Sequence, residues 1–188
     1  GGGNALNDYN DRETDKVNHP ERPIPSESIS ADAASVYAQA LLGLGLLILL
    51  FALDNKMPFV IALIGILLLI AYENGLKAAG ISGNITVGLM SGAVFLFAGM
   101  AVNEPGPTLW IFGLAVLATV TREIIKDVQD LEGDGDRRTL PASIGIENSM
   151  RVAILFLLIA IGLSYTAMDQ FDGMASNAYL GGITLANG

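Results

Sequence analysis

Between Ala33 and Leu53 the chain runs for 21 residues without one charged side chain. At 1.5 Å per helical residue this stretch is about 30 Å long, which is the thickness of the hydrocarbon core of a bilayer. The run therefore predicts a membrane-spanning helix, and the rest of the sequence supports that class. Of the 188 residues 52% are apolar and 15% charged, and the mean hydropathy is +0.51, too apolar for an ordinary soluble domain of this length. Cysteine is absent, which excludes disulfides, thiolate metal ligands and a cysteine nucleophile. A net charge of −9 argues against a nucleic-acid partner.

Further spans follow the same logic. Ser30 is placed to cap the first. Asp54, Asn55 and Lys56 make a polar turn before a second span, Met57 to Ala79, whose last third carries Glu73, Asn74 and Lys77. Ser82, Gly83 and Asn84 are expected to break the helix. A third span, Ile85 to Val102, is rich in the small residues that permit close packing in lipid. A fourth helix begins near Thr108, a fifth covers Val152 to Met168, and a sixth opens at Ala178. Residues 17–30 hold Pro20, Pro23 and Pro25 and are expected to be an extended loop. The fold class is thus all-α, a polytopic transmembrane helical bundle. The chain starts Gly-Gly-Gly-Asn and stops inside an apolar run, which reads as a single membrane-embedded domain, residues 1–188, truncated at both ends.

Charge stands where such a chain would be expected to avoid it. As a helix, Asp127, Asp130 and Asp134 fall within an arc of about 60°, and Gly133 and Gly135 mark its expected end. Near the N-terminus, Asn7, Asp11 and Asp15 recur every four residues and share a face within roughly 80°. Like charges at such spacing repel by about 0.2–0.5 kcal/mol per pair even in water, so a cation is expected on each stripe. If the spans alternate, nine of the ten Lys and Arg residues fall on one side, with only Lys56 opposite. The positive-inside rule makes that side cytoplasmic, and both stripes open to it.

Carboxylate stripes beside basic side chains in a bilayer suit a substrate with a phosphorylated head and an apolar tail. Mg²⁺ is the expected ion, because it prefers oxygen ligands and bridges carboxylates to phosphates. Metal and basic groups together would stabilise diphosphate as a leaving group. With no Ser/His/Asp set, ionisation of an allylic diphosphate fits better than covalent catalysis.

Two segments resemble a known family. Asn7-Asp8-Tyr9-Asn10-Asp11-Arg12-Glu13-Thr14-Asp15 resembles the NDxxDxxxD motif of the UbiA superfamily of intramembrane prenyltransferases, and Arg22-Pro23-Ile24-Pro25-Ser26 its RPIPS continuation. Asp127-Val128-Gln129-Asp130-Leu131-Glu132-Gly133-Asp134 is similar to its second motif, DxxDxEGD, and Thr139-Leu140-Pro141 with Gly145 to the TLPxxxG that follows. Glu27 stands where the family usually has glycine. The resemblance implies a bundle of normally nine helices, about six of them represented here, around a cavity facing the cytoplasm. It also implies metal ligation by Asn7, Asp11 and Asp15 and by Asp130 and Asp134, supported by Asp8 and Asp127. Arg22, Lys77, Arg122 and Lys126 would hold phosphate, with Tyr72 and Asn74 near the reacting carbon. Asp11, Asp15, Asp130, Asp134 and Lys126 are the implied catalytic set.

Within the family, the pairing of RPIPS with REIIKDVQDLEGD most resembles the archaeal members that join a geranylgeranyl group to geranylgeranylglyceryl phosphate in phospholipid biosynthesis. The implied partners are geranylgeranyl diphosphate, a lipid-like acceptor and the lipids of the cell membrane. An aromatic acceptor, either a quinone precursor or chlorophyllide, is the alternative within the class. A soluble helical prenyl synthase is opposed by the uncharged run. A divalent-cation transporter is opposed by acids gathered at one surface rather than near the midplane.

Overall fold

The computed structural model describes residues 1–131 and 138–167 and four further positions, 181, 182, 184 and 185. Among these residues the regular structure is helical, and they group into two compact units, Gly1–Glu73 and Asn74–Gly188.

The first unit contains α1 (Gly2–Asn18), α2 (Ala31–Ala52) and α3 (Met57–Glu73). Helix α2 begins where its cap residue predicts, since the Ser30 hydroxyl accepts the Ala33 N–H at 3.2 Å, satisfying one of the orphan donors of the first turn. Its far end is closed by Lys56, whose ammonium donates to Leu50 O at 2.7 Å and Leu53 O at 2.6 Å. Asn55 Oδ1 then accepts the Met57 N–H at 3.0 Å and starts α3. The proline-rich loop starts at His19, because Val17 and Asn18 still belong to α1; from there it is non-helical as expected, but it is not extended. Successive turns close it, with Arg22 N–H on His19 O at 3.1 Å, Ser26 N–H on Arg22 O at 2.9 Å and Ile29 N–H on Pro23 O at 3.1 Å. Proline presets the φ that such turns require, and the residues between the prolines keep their donors.

The second unit contains a single 3-10 turn (Leu76–Ala78), α4 (Ile81–Ala101), α5 (Pro105–Gln129), α6 (Leu140–Ile144) and α7 (Ile146–Thr166). Two sequence expectations are corrected here. The helix expected over Met57 to Ala79 stops at Glu73, and Ser82, Gly83 and Asn84 lie in the first turn of α4 rather than at a break. The break is made earlier, at Gly75 (φ 153) and Gly80 (φ 58), because positive φ is open to glycine and strained for a residue with a Cβ. Helix α5 likewise starts at Pro105, with proline in the first turn where no donor is missed. Helix α7 starts at Ile146 rather than Val152.

Helices α4 and α5 form an antiparallel pair joined by a short turn. A Cβ on Gly88 would lie 2.7 Å from Val120 Cγ2, and one on Gly92 would lie 2.7 Å from Val116 Cγ2 and 2.9 Å from Phe112 O. A Cβ on Gly99 would collide with Thr108. The small residues of the third span are thus the contact ridge that lets the backbones approach. Val120 and Ile124 are fully buried and, with Leu140 and Ala153, form the core on which α6 and α7 pack.

Four helices are long and apolar enough to cross a membrane: α2, α4, α5 and α7, with 22, 21, 25 and 21 residues. Helix α3 has 17, about 25 Å and at the short end of the spanning range. Leu44, Leu47, Ile48 and Phe51 of α2, and Ile154, Leu155 and Leu158 of α7, stand exposed, as side chains facing lipid tails do. The protein is a multi-pass membrane protein. The expected sixth span, from Ala178, falls mostly outside the described residues.

Candidate functional site

Helix α1 is the polar helix of its unit, and its functional face is as regular as its spacing predicts. Asn7 donates from Nδ2 to Asp11 Oδ2 at 3.0 Å, one turn along, and to Glu73 Oε1 at 3.0 Å at the end of α3. With its nitrogen engaged by two carboxylates, any metal ligation by Asn7 falls to its carbonyl oxygen. One turn beyond Asp11, Asp15 is 4% exposed and accepts Arg22 Nη1 at 2.7 Å. The same guanidinium nitrogen lies 3.6 Å from Asp8 Oδ1. The hydrogen bond to Asp15 pushes the Arg22 guanidinium further above its ordinary range, so it stays charged at any working pH. Arg22 reaches Asp15 because the loop turns back at once after α1. The unit thus brings together Asn7, Asp8, Asp11, Asp15 and Arg22 and adds Glu73. Tyr72, beside Glu73, is half-buried at the end of α3.

In the second unit the acidic residues are arranged differently. Asp127 lies in the last turn of α5 and accepts Asn84 Nδ2 of α4 at 2.9 Å. The helix ends at Gln129, with Asp130 as the exposed capping residue, its N–H on Lys126 O at 2.9 Å. The expectation of one helix carrying Asp127, Asp130 and Asp134 as far as Gly133 is therefore corrected at its C-terminal end, where Asp130 already leaves the helix. Asp134, with Gly133 and Gly135, lies outside the described residues.

Arg122 Nη2 lies 2.8 Å from Glu123 Oε1, and Lys126 Nζ lies 3.7 Å from Glu123 Oε2. The Glu123 side chain is only 13% exposed, whereas both cations stand well out, so one shielded carboxylate orients two basic side chains. Arg122, Lys126 and Gln129 edge a cleft of about 530 Å³ floored by Ala118, Ile125 and Leu157. The cleft thus sets basic side chains beside apolar ones. Lys77 is half-buried in the 3-10 turn, and Asn74 is exposed just before it.

Sequence reasoning missed three partners. Glu73 stood out only as an ionisable residue in the last third of a span, and Glu123 carried no signal of its own. Asn84 looked like a helix breaker; the available signal was an amide on the same face as Gly88 and Gly92, at i, i+4 and i+8.

No group of three or more His, Cys, Asp or Glu side chains converges among the described residues. The donor set is nevertheless of one kind, carboxylate and amide oxygen without sulfur or imidazole. That chemistry suits a hard divalent cation such as Mg²⁺ and not zinc.

The model of the UbiA prenyltransferase family matches residues 1–187. A curated relative from Methanothrix thermoacetophila, a digeranylgeranylglyceryl phosphate synthase, is 43% identical over 94% of this chain and 66% of its own length. One of the same name from Methanopyrus kandleri is 38% identical over 95% of this chain and 65% of its own. The chain thus spans just under two thirds of the length of these relatives. A solved structure, described as giving structural and mechanistic insights into the biosynthesis of digeranylgeranylglyceryl phosphate synthase in membranes, superposes with a TM-score of 0.81. It is 32% identical and covers 98% of this chain and 69% of its own.

Proposed function

The chain belongs to the UbiA prenyltransferase family, and from that membership we propose that its protein transfers a geranylgeranyl group from geranylgeranyl diphosphate to geranylgeranylglyceryl phosphate. The product would carry the second ether bond of an archaeal membrane phospholipid. The observation that carries this reading is the set of relatives of that name, 38–43% identical across nearly the whole chain. Family membership also favours a transferase over a cation transporter.

In the reaction the bond between the allylic carbon and the diphosphate oxygen breaks, and the acceptor hydroxyl supplies the new C–O bond and releases its proton. Asn7, Asp11 and Asp15, with Asp8 in support, would hold one Mg²⁺, and Asp130 and Asp134, with Asp127 in support, would hold another. When bound, such ions neutralise diphosphate oxygens and so improve the leaving group. Arg22, Lys77, Arg122 and Lys126 contribute fixed positive charge to phosphate oxygens, with guanidinium forks suited to two oxygens at once. Lys126 is the cation placed closest in sequence to the second acidic motif, and Glu123 fixes its direction. Tyr72 and Asn74 border the reacting carbon, and the apolar spans exclude water from it. We place this chemistry in one membrane-embedded domain of the cell membrane, opening to the cytoplasm, on the strength of the one-sided distribution of Lys and Arg.

Product analysis tests the reading. Membranes holding the intact protein, given geranylgeranyl diphosphate, Mg²⁺ and a panel of acceptors, are expected to prenylate geranylgeranylglyceryl phosphate. Transfer to an aromatic ring, and none to the glyceryl phosphate, would overturn it.

A further inference from the structure

Asn84 is the buried amide on a small-residue face of α4. At about 100° per residue, Asn84, Gly88 and Gly92 at i, i+4 and i+8 share a face within roughly 80°. Gly88 packs on Val116 and Val120 of α5, and Gly92 on Phe112 and Val116, so α5 climbs as α4 descends. Continuing that antiparallel register one turn beyond Gly88 brings Asn84 beside the last turn of α5, where Asp127 accepts its Nδ2 at 2.9 Å. Two glycines fix the near end of the pair. Gly80, at φ 58, turns the chain into α4 where a Cβ would lie 3.1 Å from Arg138 O, and Gly83 passes the Leu76 carbonyl where no side chain would fit. Asn84 is itself 7% exposed, and a buried amide in a membrane helix is costly unless it is hydrogen-bonded.

We propose that Asn84 is a positioning residue for the second metal site: its amide fixes the carboxylate plane of Asp127 so that the last turn of α5 presents oxygen to the divalent cation in a set direction. This rests on the metal-binding reading of the second motif. The close α4–α5 contact then acquires a purpose beyond packing, because the glycine ridge sets the distance over which a short Asn side chain can reach. Outer-shell partners of this kind typically change metal affinity by about 10- to 100-fold when removed, whereas an interhelical hydrogen bond with only a structural role would alter stability and leave metal affinity alone.

The test is Mn²⁺ binding to the intact protein in detergent without substrate, followed by electron paramagnetic resonance, with thermal unfolding measured in parallel. Asn84→Ala and Asn84→Leu are expected to weaken Mn²⁺ binding about tenfold or more and to raise the Mg²⁺ concentration needed for half-maximal transfer. Asn84→Leu should keep most of the packing. Should it fail to fold, Asn84→Ser, which is smaller and polar, takes its place with the same expectation. Affinity within twofold of wild type in the folded variants, whatever their stability, overturns the proposal. Asp127→Ala is the reference. If it too leaves Mn²⁺ binding unchanged, the metal reading of this motif fails and the role of Asn84 with it; if it alone weakens binding, only the role of Asn84 fails.

Discussion

On α1 the buried carboxylate of Asp15 is held by Arg22, from the loop that leaves the same helix, whereas on α5 Asp127 is held by Asn84, from a neighbouring span. The first arrangement is local. The stripe and its cation lie within the 16 residues from Asn7 to Arg22, and the stripe stays on a regular helix from Asn7 to Asp15. The second depends on packing between helices. Its partner is 43 residues away, and its acids leave the helix at Asp130. A charged partner compensates a buried carboxylate more strongly than a neutral amide does, but it also competes with a bound cation. The contrast therefore gives the carboxylates of α1 charge balance of their own, whereas those of α5 would depend more on the proposed metal.

The sharpest way to break this comparison is to neutralise one acid on each side. Asp11→Asn and Asp130→Asn are each expected to lower prenyl transfer by at least about 10²-fold, the scale of losing a major electrostatic stabiliser, with the folded protein still present in membranes. Mg²⁺-dependent turnover at the wild-type rate in either variant would remove that half of the site. The next effect concerns holding rather than ligation. Arg22→Gln leaves Asp15, 4% exposed, without the donor at 2.7 Å. Because the Arg22 side chain is 38% exposed, solvent offsets part of the loss, and the expected effect is a lower unfolding midpoint. The sign of the pH dependence is fixed as well. The Arg22 pKa is raised by Asp15, so its contribution is complete below its ordinary range and lost only in strong alkali. The wild-type minus variant difference attributable to the cation should not fade between neutral and mildly alkaline pH. An unchanged midpoint would mean that the loop does not hold α1.

The same contrast explains how much of the molecule could be read from its sequence. The α1 face was legible because 3.6-residue periodicity acts within one helix: Asn7, Asp11 and Asp15 needed no tertiary information. Spans α2, α4 and α7 were legible from hydropathy, α5 as a helix beginning near Thr108, and Ser30 from its capping chemistry. Their boundaries were less so, since Gly75 and Gly80 end one helix and begin another through backbone φ, while Ser82, Gly83 and Asn84 look like a break by composition alone. Asn84 and Glu73 acquire meaning only across helices, and the sequence does not state which helices touch. The end of α5 at Gln129 was hidden for a related reason. Asp127 and Asp130 keep a helical spacing, but Asp130, its N–H on Lys126 O, closes the helix instead of continuing it.

The smallest effect tests whether the local unit tolerates strain that the other avoids. Glu27 has φ 60 and Asn103 has φ 61, the two non-glycine residues at positive φ among those described. The left-handed region costs an ordinary L-residue about 1–2 kcal/mol, but Asn enters it more readily because its short side chain hydrogen-bonds locally. Glu27 has no such relief, and it stands where related sequences are expected to carry glycine. Glu27→Gly removes the steric cost while adding freedom to the unfolded chain, which returns roughly 0.4–1 kcal/mol of the gain. A net stabilisation of about 0.5–1 kcal/mol is expected, against little or none for Asn103→Gly. The measurement is the difference between the two unfolding midpoints in the same detergent. Equal shifts would mean that the turn around Glu27 is not strained and that the α1 loop reaches Asp15 without conformational cost.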